Sequence, residues 1–480
     1  MTAPPPSRAL VPVLIFVGTV VAVISSLGAP LVPAIAERAG ASLTDAQWSL
    51  TITLLVGAVA TPVMGRLADG PRRRPVMLGV LGLVTLGGVL AALPLGLPWL
   101  IVGRGLQGFG LGLTPVAIAT ARDALGGDRS RATVAALSVT VVAGLGLGYP
   151  AAGLVAELGG VHAAFWAGAV VSFLALLAAA VVLPPSTGAP ARRLDVVGAV
   201  LLGAGLAGLL LALGEAGTWG ASPLLWSVAA GAVVVLLGWL VWESRTRWPL
   251  VDLRLARGRV AATAHAAALL VGLSNYLLIA SIPILAQAPT AGGAGFGTSI
   301  VVAGLILLPF SLAGVVGGRV ARAVADRSGA RLVLPVAALV QAGAFVLFLV
   351  ARTQLWELFV VMAVAGLGVG AAFAAFPGLI ISAVPPHETG SAMSLNQVLR
   401  YIGFAVGSAL TATVLAASSA PGTATPSARG YGVVAVIGLV VCLTTAVVTW
   451  VIPAPALAAA RPAVSPSSAR VPSGRTPGSG

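Results

Sequence analysis

Long apolar runs with few charged residues, repeated fourteen times along 480 residues, are the feature that most constrains how this chain folds. Each run is close to the roughly 20 residues that an α-helix needs to cross the hydrocarbon core of a bilayer. Only 8% of the residues are charged and 58% are hydrophobic, whereas about a quarter of the residues of a soluble protein are charged. The sequence therefore predicts an all-α membrane protein with 14 transmembrane helices.

The apolar runs fall into two sets of six with a pair between them. The predicted spans are 9–32, 47–64, 75–95, 98–120, 133–156, 162–183, 195–214, 223–242, 259–286, 299–318, 332–351, 356–383, 394–418 and 431–452. They form an N-terminal six-helix bundle (9–183), an inserted helix pair (195–242) and a C-terminal six-helix bundle (259–452). Residues 1–8 are predicted to be a cytoplasmic segment. Residues 453–480, rich in Pro, Ser, Ala and Gly, are predicted to be a disordered cytoplasmic tail. The first run is longer than the apolar region of a signal peptide, which favours a membrane-spanning helix.

The arginines predict the orientation. All 27 basic residues are arginines, and the formal net charge is +14. If the N-terminus is cytoplasmic, 23 of them, Arg400 included, fall in cytoplasmic segments or at cytoplasmic helix ends. Arg38, Arg352 and Arg429 fall outside, and Arg104 falls within a helix. This is the positive-inside distribution of a multi-pass protein of the cell inner membrane with both termini cytoplasmic. Since the charge is spread over many loops, it does not predict nucleic-acid binding.

Two stretches in the first half have counterparts in the second half. "GRLADGPRRR" resembles "RAVADRSGAR", and their acids, Asp69 and Asp326, are 257 positions apart. Glycines of the predicted fifth helix have counterparts in the thirteenth at an offset of 259: Gly144 with Gly403, and Gly148 with Gly407. This agreement indicates a duplicated six-helix unit with pseudo-twofold symmetry, a plan common among secondary transporters.

The order of four motifs resembles that of the major facilitator superfamily, and of its fourteen-helix drug:proton antiporter branch in particular. "GRLAD" followed by two arginines resembles the signature of the loop between helices 2 and 3. "RGLQGFGLG" resembles the helix 4 motif, and "GLGLGYPAAG" the helix 5 motif associated with export. "PLVDLRLARGR" resembles the segment that follows helix 8 in the branch. The resemblance extends to about residue 452.

The resemblance implies that the charged loops form a conformational latch between the bundles on the cytoplasmic side. The residues of this latch are Gly65, Asp69, Arg73, Arg74, Asp123 and Asp326. The alternative is that the arginines only determine topology. The loop departs from the family pattern at Gly70, where a basic residue is usual, and at Arg72, where a glycine is usual. Arg322 likewise replaces a glycine in the second copy.

Arg104 lies within a predicted span, where a charged side chain is costly and usually faces the bundle interior. Gln107 is three residues further along nearly the same face of the helix. Arg104 is expected either to bind substrate or to relay proton coupling, and the resemblance implies the second role. The alternative is that its side chain extends towards the membrane surface.

Small residues crowd the predicted fifth helix: Gly144, Gly148, Pro150 and Gly153. They allow close approach of another backbone, and Pro150 bends the helix. The resemblance implies a seal or hinge typical of exporters, whereas the simpler interpretation is close packing.

The resemblance implies that helices 1, 4, 9 and 12 line a central cavity. Its predicted substrate-binding residues are Ser25, Ser26, Arg104, Gln107, Asn275, Tyr276, Phe373 and Phe376. Rings, amides and hydroxyls on apolar surface suit amphipathic or hydrophobic organic molecules. We therefore expect a monomeric transporter in the lipid bilayer that exports small drug-like molecules by alternating access. An importer or uniporter on the same scaffold and a non-transporting receptor or scaffold remain alternatives.

A proton-carrying acid is harder to find. The proton gradient is the expected energy source, yet none of the 13 acids lies near the centre of a predicted span. The stretch "VISS" occupies the place where many relatives carry an acid in helix 1. Glu157, Glu215 and His265 remain as candidates, and coupling through Asp69 or Asp123 stays open. No metal-spaced His/Cys set, nucleophile triad or carboxylate pair is visible, so no catalytic residue, metal or cofactor is predicted.

Overall fold

A computed structural model of the protein describes residues 9–67, 72–125, 127–185, 194–256, 258–290, 295–383, 389–419 and 425–451. Within these ranges the structure is helical apart from turns, loops and one isolated bridge between Ser419 and Pro426. The α-helices are α1 (Leu10–Ser26), α2 (Val32–Ala39), α3 (Leu43–Leu67), α4 (Arg73–Ala92), α5 (Leu97–Gly108), α6 (Leu113–Ala124), α7 (Gly127–Val182), α8 (Val196–Trp219), α9 (Pro223–Arg245), α10 (Arg259–Gln287), α11 (Ile300–Ser328), α12 (Val333–Val350), α13 (Leu355–Ala383), α14 (Thr389–Ala417) and α15 (Ala428–Val451). The predicted segments 1–8 and 453–480 lie outside the described residues.

Twelve helical segments among the described residues are long and apolar enough to cross a membrane, two fewer than predicted. Predicted span 98–120 is divided by the 3₁₀ turn Phe109–Gly112 into α5 and α6, which have only 12 residues each. Predicted spans 133–156 and 162–183 both fall in α7, a run of 56 residues with a non-helical break at Gly160. The count of fourteen separate helices is therefore not met, because one span is broken and two spans are merged.

α7 is interrupted at Gly160 by a non-helical backbone conformation. Gly160 has φ 80° and ψ 172°, outside the helical region. Glycine adopts such a conformation readily because it has no Cβ. The break falls between the two spans that the sequence separates at residues 157–161.

The first apolar run is also broken. α1 ends at Ser26, and a 3₁₀ turn over Ala29–Leu31 leads into α2. Pro30 lies at the start of this turn and lacks the amide hydrogen that would continue the α-helix. α2 ends at Gly40, whose left-handed conformation caps its carbonyls.

α11 continues well beyond the predicted span, which ended at residue 318. The helix runs to Ser328 and stops at Gly329, which has φ +89°. The alanines and arginines after residue 318 favour helix even outside an apolar environment. Asp326 therefore lies on the last turn of a helix and not in the loop that the sequence predicted.

The two halves repeat the same helix contacts. α1 packs against α7 as α10 packs against α14, and α4 contacts α5 and α7 as α12 contacts α13 and α15. The repetition agrees with the sequence echo between the halves. α8 and α9 pack against each other, and α8 also contacts α3 and α14.

The halves meet chiefly along two helix pairs, α7 with α11 and α3 with α14. The two pairs are equivalent under the repeat, because α7 corresponds to α14 and α11 corresponds to α3. The space between the halves is therefore bounded by α3 and α7 on one side and by α11 and α14 on the other.

Candidate functional site

Arg104 on α5 ties three helices of the first half together. Its side chain is fully buried, and its Nε donates to the Ser49 carbonyl of α3 at 3.1 Å. Its Nη1 donates to the Ile24 carbonyl of α1 at 3.2 Å and to Oε1 of Gln107 at 2.7 Å. The Thr53 hydroxyl donates to the Arg104 carbonyl at 3.0 Å. Arg104 thus lies inside the half, as predicted, and does not extend to the membrane surface.

The charge of Arg104 is stabilised without an acidic hydrogen-bond partner among the described residues. The guanidinium carbon is 5.9 Å from the centre of the Phe165 ring, a cation–π distance. Nη2 has no hydrogen-bond partner among the described residues, and it stands 3.4 Å from where a Cβ on Gly28 would be. In this conformation Nη2 is the one part of the guanidinium still able to bind another group. The predicted substrate contact of Arg104 stays a prediction.

Backbone-to-backbone contact between α7 and α11 closes one end of the space between the halves. A Cβ on Gly304 would lie 2.6 Å from the Tyr149 carbonyl oxygen, and one on Gly153 would lie 2.8 Å from the Ile300 carbonyl oxygen. Such approach requires the absence of a side chain. We call the end formed by Tyr149, Pro150, Gly153, Ile300 and Gly304 the sealed end.

Polar contacts close the same end between α3 and α14. Nε2 of Gln47 donates to the Ser408 hydroxyl at 2.9 Å, and the Thr51 and Ser408 hydroxyls are 3.0 Å apart. Nε2 of Gln287 donates to the Pro30 carbonyl at 2.9 Å. α3 begins, and α1 and α10 end, near these residues, so all these contacts belong to the sealed end.

An aromatic cluster from α10, α13 and α14 lies in the second half. The ring centres of Tyr276 and Phe404 are 4.6 Å apart, those of Tyr401 and Phe404 are 5.7 Å apart, and those of Phe373 and Phe404 are 6.5 Å apart. Tyr276 and Phe373 were predicted from the sequence, whereas Tyr401 and Phe404 were missed. Their spacing of three residues on α14 was the available signal.

The cluster reaches across to the first half through Tyr276. Its phenol lies within electrostatic range of Arg104 on α5 and of Tyr149 on α7. Tyr276 is buried, and its Cβ packs close to Gly407 on α14. The aromatic cluster of the second half therefore approaches the buried arginine of the first half at Tyr276.

The positively charged guanidinium of Arg400 packs against a ring of this cluster. Its guanidinium carbon is 4.6 Å from the centre of the Phe373 ring, and Arg400 makes no hydrogen bond or ion pair with any described residue. The sequence placed Arg400 at a cytoplasmic helix end. That placement is wrong, because α14 begins at Thr389, so Arg400 is about 17 Å along the helix axis.

The face of α14 that carries Arg400 points towards the first half. Gln397, Arg400, Phe404 and Ser408 recur at three- and four-residue intervals, which places them on neighbouring positions of one helix face. Ser408 contacts Gln47 on α3 across the space between the halves. Arg400 is half-buried on this stripe, where a small molecule between the halves would meet both its charge and the aromatic rings.

The remaining predicted cavity residues are mostly packed. Ser26 donates to the Val23 carbonyl of its own helix at 2.8 Å, and a Cβ on Gly148 would lie 2.5 Å from its hydroxyl. Asn275 and Phe376 are buried in the second half. The side chain of Ser25 and the surroundings of Gly144 lie outside the described part of the structure.

The predicted latch arginines bind helix ends of the first half. Nη1 of Arg73 donates to the Ala119 carbonyl at 3.5 Å, and Nη2 of Arg74 donates to the Ala180 carbonyl at 2.8 Å. Both acceptors are in the last two turns of a helix, where the macrodipole favours a cation. These two contacts tie α4 to α6 and α7.

The other latch residues do not form a described contact between the halves. Asp69 and the side chain of Asp123 lie outside the described residues. Gly65 is on α3, and a Cβ there would meet nothing within 4 Å. Asp326 is exposed and makes no hydrogen bond or ion pair with a described residue. The latch stays a prediction.

The fold and this site define the class of protein. Apolar helices that cross the membrane many times, in two halves with matching contacts and a polar–aromatic site between them, are the architecture of a membrane transporter. A comparison with protein families identifies which one: the family model of the Major Facilitator Superfamily matches residues 14–198 and 264–475. The chain belongs to this superfamily.

Curated relatives agree with that assignment. The chain is 28% identical over 393 residues to "Multidrug resistance protein B homolog" of Mycobacterium tuberculosis (strain ATCC 25618 / H37Rv), covering 78% of this chain and 70% of the relative. It is 29% identical over 385 residues to a triacylglyceride transporter of Mycolicibacterium smegmatis (75% and 66% covered). It is 27% identical over 388 residues to "Putative multidrug resistance protein MdtD" of Escherichia fergusonii (80% and 81% covered).

Solved structures share the fold at low identity. A peptide transporter POT in complex with sulfate superposes with a TM-score of 0.66 at 17% identity, covering 92% of this chain and 96% of the other. The nucleoside transporter NupG gives 0.64 at 12% identity, covering 92% and 98%. The architecture is thus that of major facilitator transporters.

Proposed function

We propose that this protein is a secondary active transporter that exports small amphipathic or hydrophobic organic molecules by alternating access. The observation that carries the proposal is Arg400 stacked on Phe373, within an aromatic cluster on the helix face directed at the other half. Rings supply apolar contact area, and the guanidinium of Arg400, which pairs with no described residue, supplies one polar anchor. A cargo with an apolar body and one polar group matches this lining.

The charge at the site favours neutral or anionic cargo. Among the described residues between the halves, Arg104 and Arg400 are the charged side chains near the cluster, and both are cations. A cationic molecule would meet repulsion in a medium of low dielectric constant. The names of the relatives, multidrug resistance proteins and a triacylglyceride transporter, support an apolar cargo.

The topology proposed for this carrier is that of the fourteen-helix antiporter branch. Leu147–Val182 is 36 residues long, about 54 Å as one helix, which exceeds the roughly 30 Å hydrocarbon core. A reversal at Gly160 makes it two spans, and Leu97–Ala124 crosses as one span interrupted by a 3₁₀ turn. The family model leaves residues 199–263 unmatched, which supports α8 and α9 as an inserted pair.

The proposed orientation follows the arginines. Both termini are cytoplasmic in a cell inner membrane, the sealed end faces outward, and the opposite end opens to the cytoplasm. The conformation is then the one that loads cargo from inside. Export follows when the α7–α11 and α3–α14 contacts separate and the latch closes the cytoplasmic end. The proton gradient supplies the energy, and the monomer suffices because the site lies within one chain.

Transport by purified protein in liposomes tests this proposal. Three amphiphiles with the same apolar body and a carboxylate, an amide or a quaternary ammonium are loaded, and their movement is followed after a pH step. We expect the carboxylate and the amide to move. Arg400→Gln should raise the KM of the carboxylate at least about tenfold, the loss of roughly 1.4 kcal/mol, and leave the amide unchanged.

The matched control is Arg38→Gln, which removes an exposed arginine near the end of α2. It should leave the KM of both cargoes unchanged. Faster transport of the quaternary ammonium, or an unchanged KM for the carboxylate in Arg400→Gln, would contradict the proposed site. Failure of all three amphiphiles to move would contradict the proposed cargo class.

A further inference from the structure

Two carboxyl groups meet at the base of the inserted helix pair, where α9 ends beside the start of α8. Asp195 precedes α8, and Glu243 lies on the last turn of α9. A Cβ placed on Gly198 would be 2.6 Å from Oδ2 of Asp195 and 2.8 Å from Oε2 of Glu243, so the two oxygens are close neighbours. Asp195 is 9% exposed and Glu243 is 1% exposed.

The hydrogen bonds to the pair are unequal. Asp195 accepts from the Gly198 amide at 2.8 Å and from Nε1 of Trp242 at 2.9 and 3.1 Å. Oε1 of Glu243 accepts from the Val251 amide. Oε2 of Glu243 is buried without a hydrogen-bond partner among the described residues. Asp195 therefore accepts three N–H···O hydrogen bonds, whereas no described group donates to Oε2 of Glu243.

We propose that Asp195 and Glu243 form a site that binds a single proton, held on Oε2 of Glu243 and donated to Oδ2 of Asp195. Two ionised carboxylates cannot remain side by side in a buried environment, and one shared proton removes the repulsion. The proton also satisfies the buried oxygen that otherwise has no partner. Release of this proton leaves two negative charges in contact.

A nearby cation connects the pair to the first half. Nη2 of Arg66, at the end of α3, donates to the Pro249 carbonyl at 2.7 Å, two residues before the amide that binds Glu243. Arg66 also acts electrostatically on Glu243. The other charged groups described on the packed elements are Asp45 on α3, Glu215 on α8, Arg245 on α9, Arg247, Asp252 and Arg254 in the segment after it, and Arg400 on α14. When the proton leaves, Arg66 is the cation placed to move from Pro249 towards Glu243.

The consequence is a link between protonation and the end of α3. This end of α3 carries Gly65 of the predicted latch, so loss of the proton rearranges the contact between the end of α3 and the segment after α9. This coupling role rests on the proposed function, whereas the proton site itself does not.

Infrared spectroscopy of the purified full-length protein in lipid nanodiscs tests the site. A protonated carboxylic acid absorbs separately from a carboxylate, and its band should disappear as the pH is raised. We expect this titrating band to be lost in Glu243→Gln. It should also be lost in Asp195→Asn, because the new amide donates to Glu243 and lets it ionise. Glu37→Gln, an exposed acid on α2, should keep the band.

Thermal unfolding of each variant verifies that it is folded before its spectrum is interpreted. A band that is absent from the unsubstituted protein, or unchanged in both pair variants, would overturn the site. Transport separates the two proposals, because the spectrum needs no cargo. If Glu243→Gln loses the band but keeps the pH dependence of transport, the coupling role is wrong and the site stands. If the unsubstituted protein moves no cargo, the proposed function fails while the spectrum still decides the site.

Discussion

At the residue scale, Arg104 shows how a buried charge is held by carbonyl groups and a ring. Its Nε and Nη1 bind the Ser49 and Ile24 carbonyls, and its charge lies beside Phe165. The Ile24 carbonyl lies in the last turn of α1, where helix carbonyls lack an intrahelical donor, and the Ser49 carbonyl also accepts from the Thr53 hydroxyl at 3.1 Å. The residue therefore supports the packing of α1, α3 and α5 in addition to any part it has in transport.

Replacing Arg104 should consequently affect stability as well as transport. Arg104→Ala removes three charge-assisted hydrogen bonds, and we expect the free energy of unfolding to fall by about 3 kcal/mol or more. Transport should fall at least tenfold, because the packed helices lose their common tie. Thermal unfolding and liposome transport measure the two effects. Arg38→Ala is the control, and an Arg104→Ala protein as stable and active as the parent would refute this role.

The sequence predicted the position of Arg104 but not its partners. A lone arginine in an apolar run is visible without a structure, and so is the expectation that it faces inward. Arg400 was assigned to a cytoplasmic helix end because it lies near the start of the predicted span 394–418. The helix begins earlier, at Thr389, and Asn396 is buried in it and donates to the Ala264 carbonyl at 3.0 Å, a tertiary contact that hydropathy does not contain.

At the element scale, close approach between α7 and α11 seals one end. A backbone carbonyl, that of Tyr149, lies where a side chain on Gly304 would begin. The sequence showed the crowded glycines of α7, and their role in a seal was implied by resemblance. It gave no sign of Gly304, because one glycine in an apolar run is common in membrane helices.

Gly304→Ala should therefore weaken the sealed end. One extra methyl group in a packed contact costs about 1–3 kcal/mol, roughly a five- to 150-fold shift in a two-state equilibrium. The readout is labelling of Glu157→Cys by a membrane-impermeant maleimide, in a Cys442→Ser background that removes the chain's one cysteine. We expect faster labelling and slower transport.

Gly343→Ala on α12 is the matched control, because a Cβ there meets nothing within 4 Å. It should leave the labelling rate unchanged. Equal labelling in the two alanine variants would show that the α7–α11 contact does not hold this end closed.

At the scale of the whole molecule, the repeat and the helical fold could be predicted, while the helix count could not. The offset between Asp69 and Asp326 indicated the duplication, and the structure repeats the same helix contacts in each half. Hydropathy separates the spans on either side of Gly160, and in the structure that residue is the non-helical break within α7. One span broken by a 3₁₀ turn and two spans joined in α7 account for the difference between the fourteen predicted spans and the twelve in the described residues.

The side of the membrane on which a residue lies can be measured by labelling a single cysteine there with a membrane-impermeant reagent. If α7 reverses at Gly160, then Leu158→Cys should be labelled from the same side as Glu37→Cys, and Ser328→Cys from the opposite side. Leu158 is 81% exposed, so burial within the protein does not prevent its reaction. Labelling of Leu158→Cys from the side that reaches Ser328→Cys would rule out the reversal and the fourteen-span path.

In the proposed mechanism, the two halves alternately close and open the sealed end. The Val301 amide donates to Oε2 of Glu157 across this contact at 3.4 Å. The most direct measurement is disulfide crosslinking of Glu157→Cys with Val301→Cys in the Cys442→Ser background, with each single cysteine as control. If the sealed end must open, oxidation should stop transport in liposomes and reduction should restore it. Transport at an unchanged rate after complete crosslinking would contradict this mechanism.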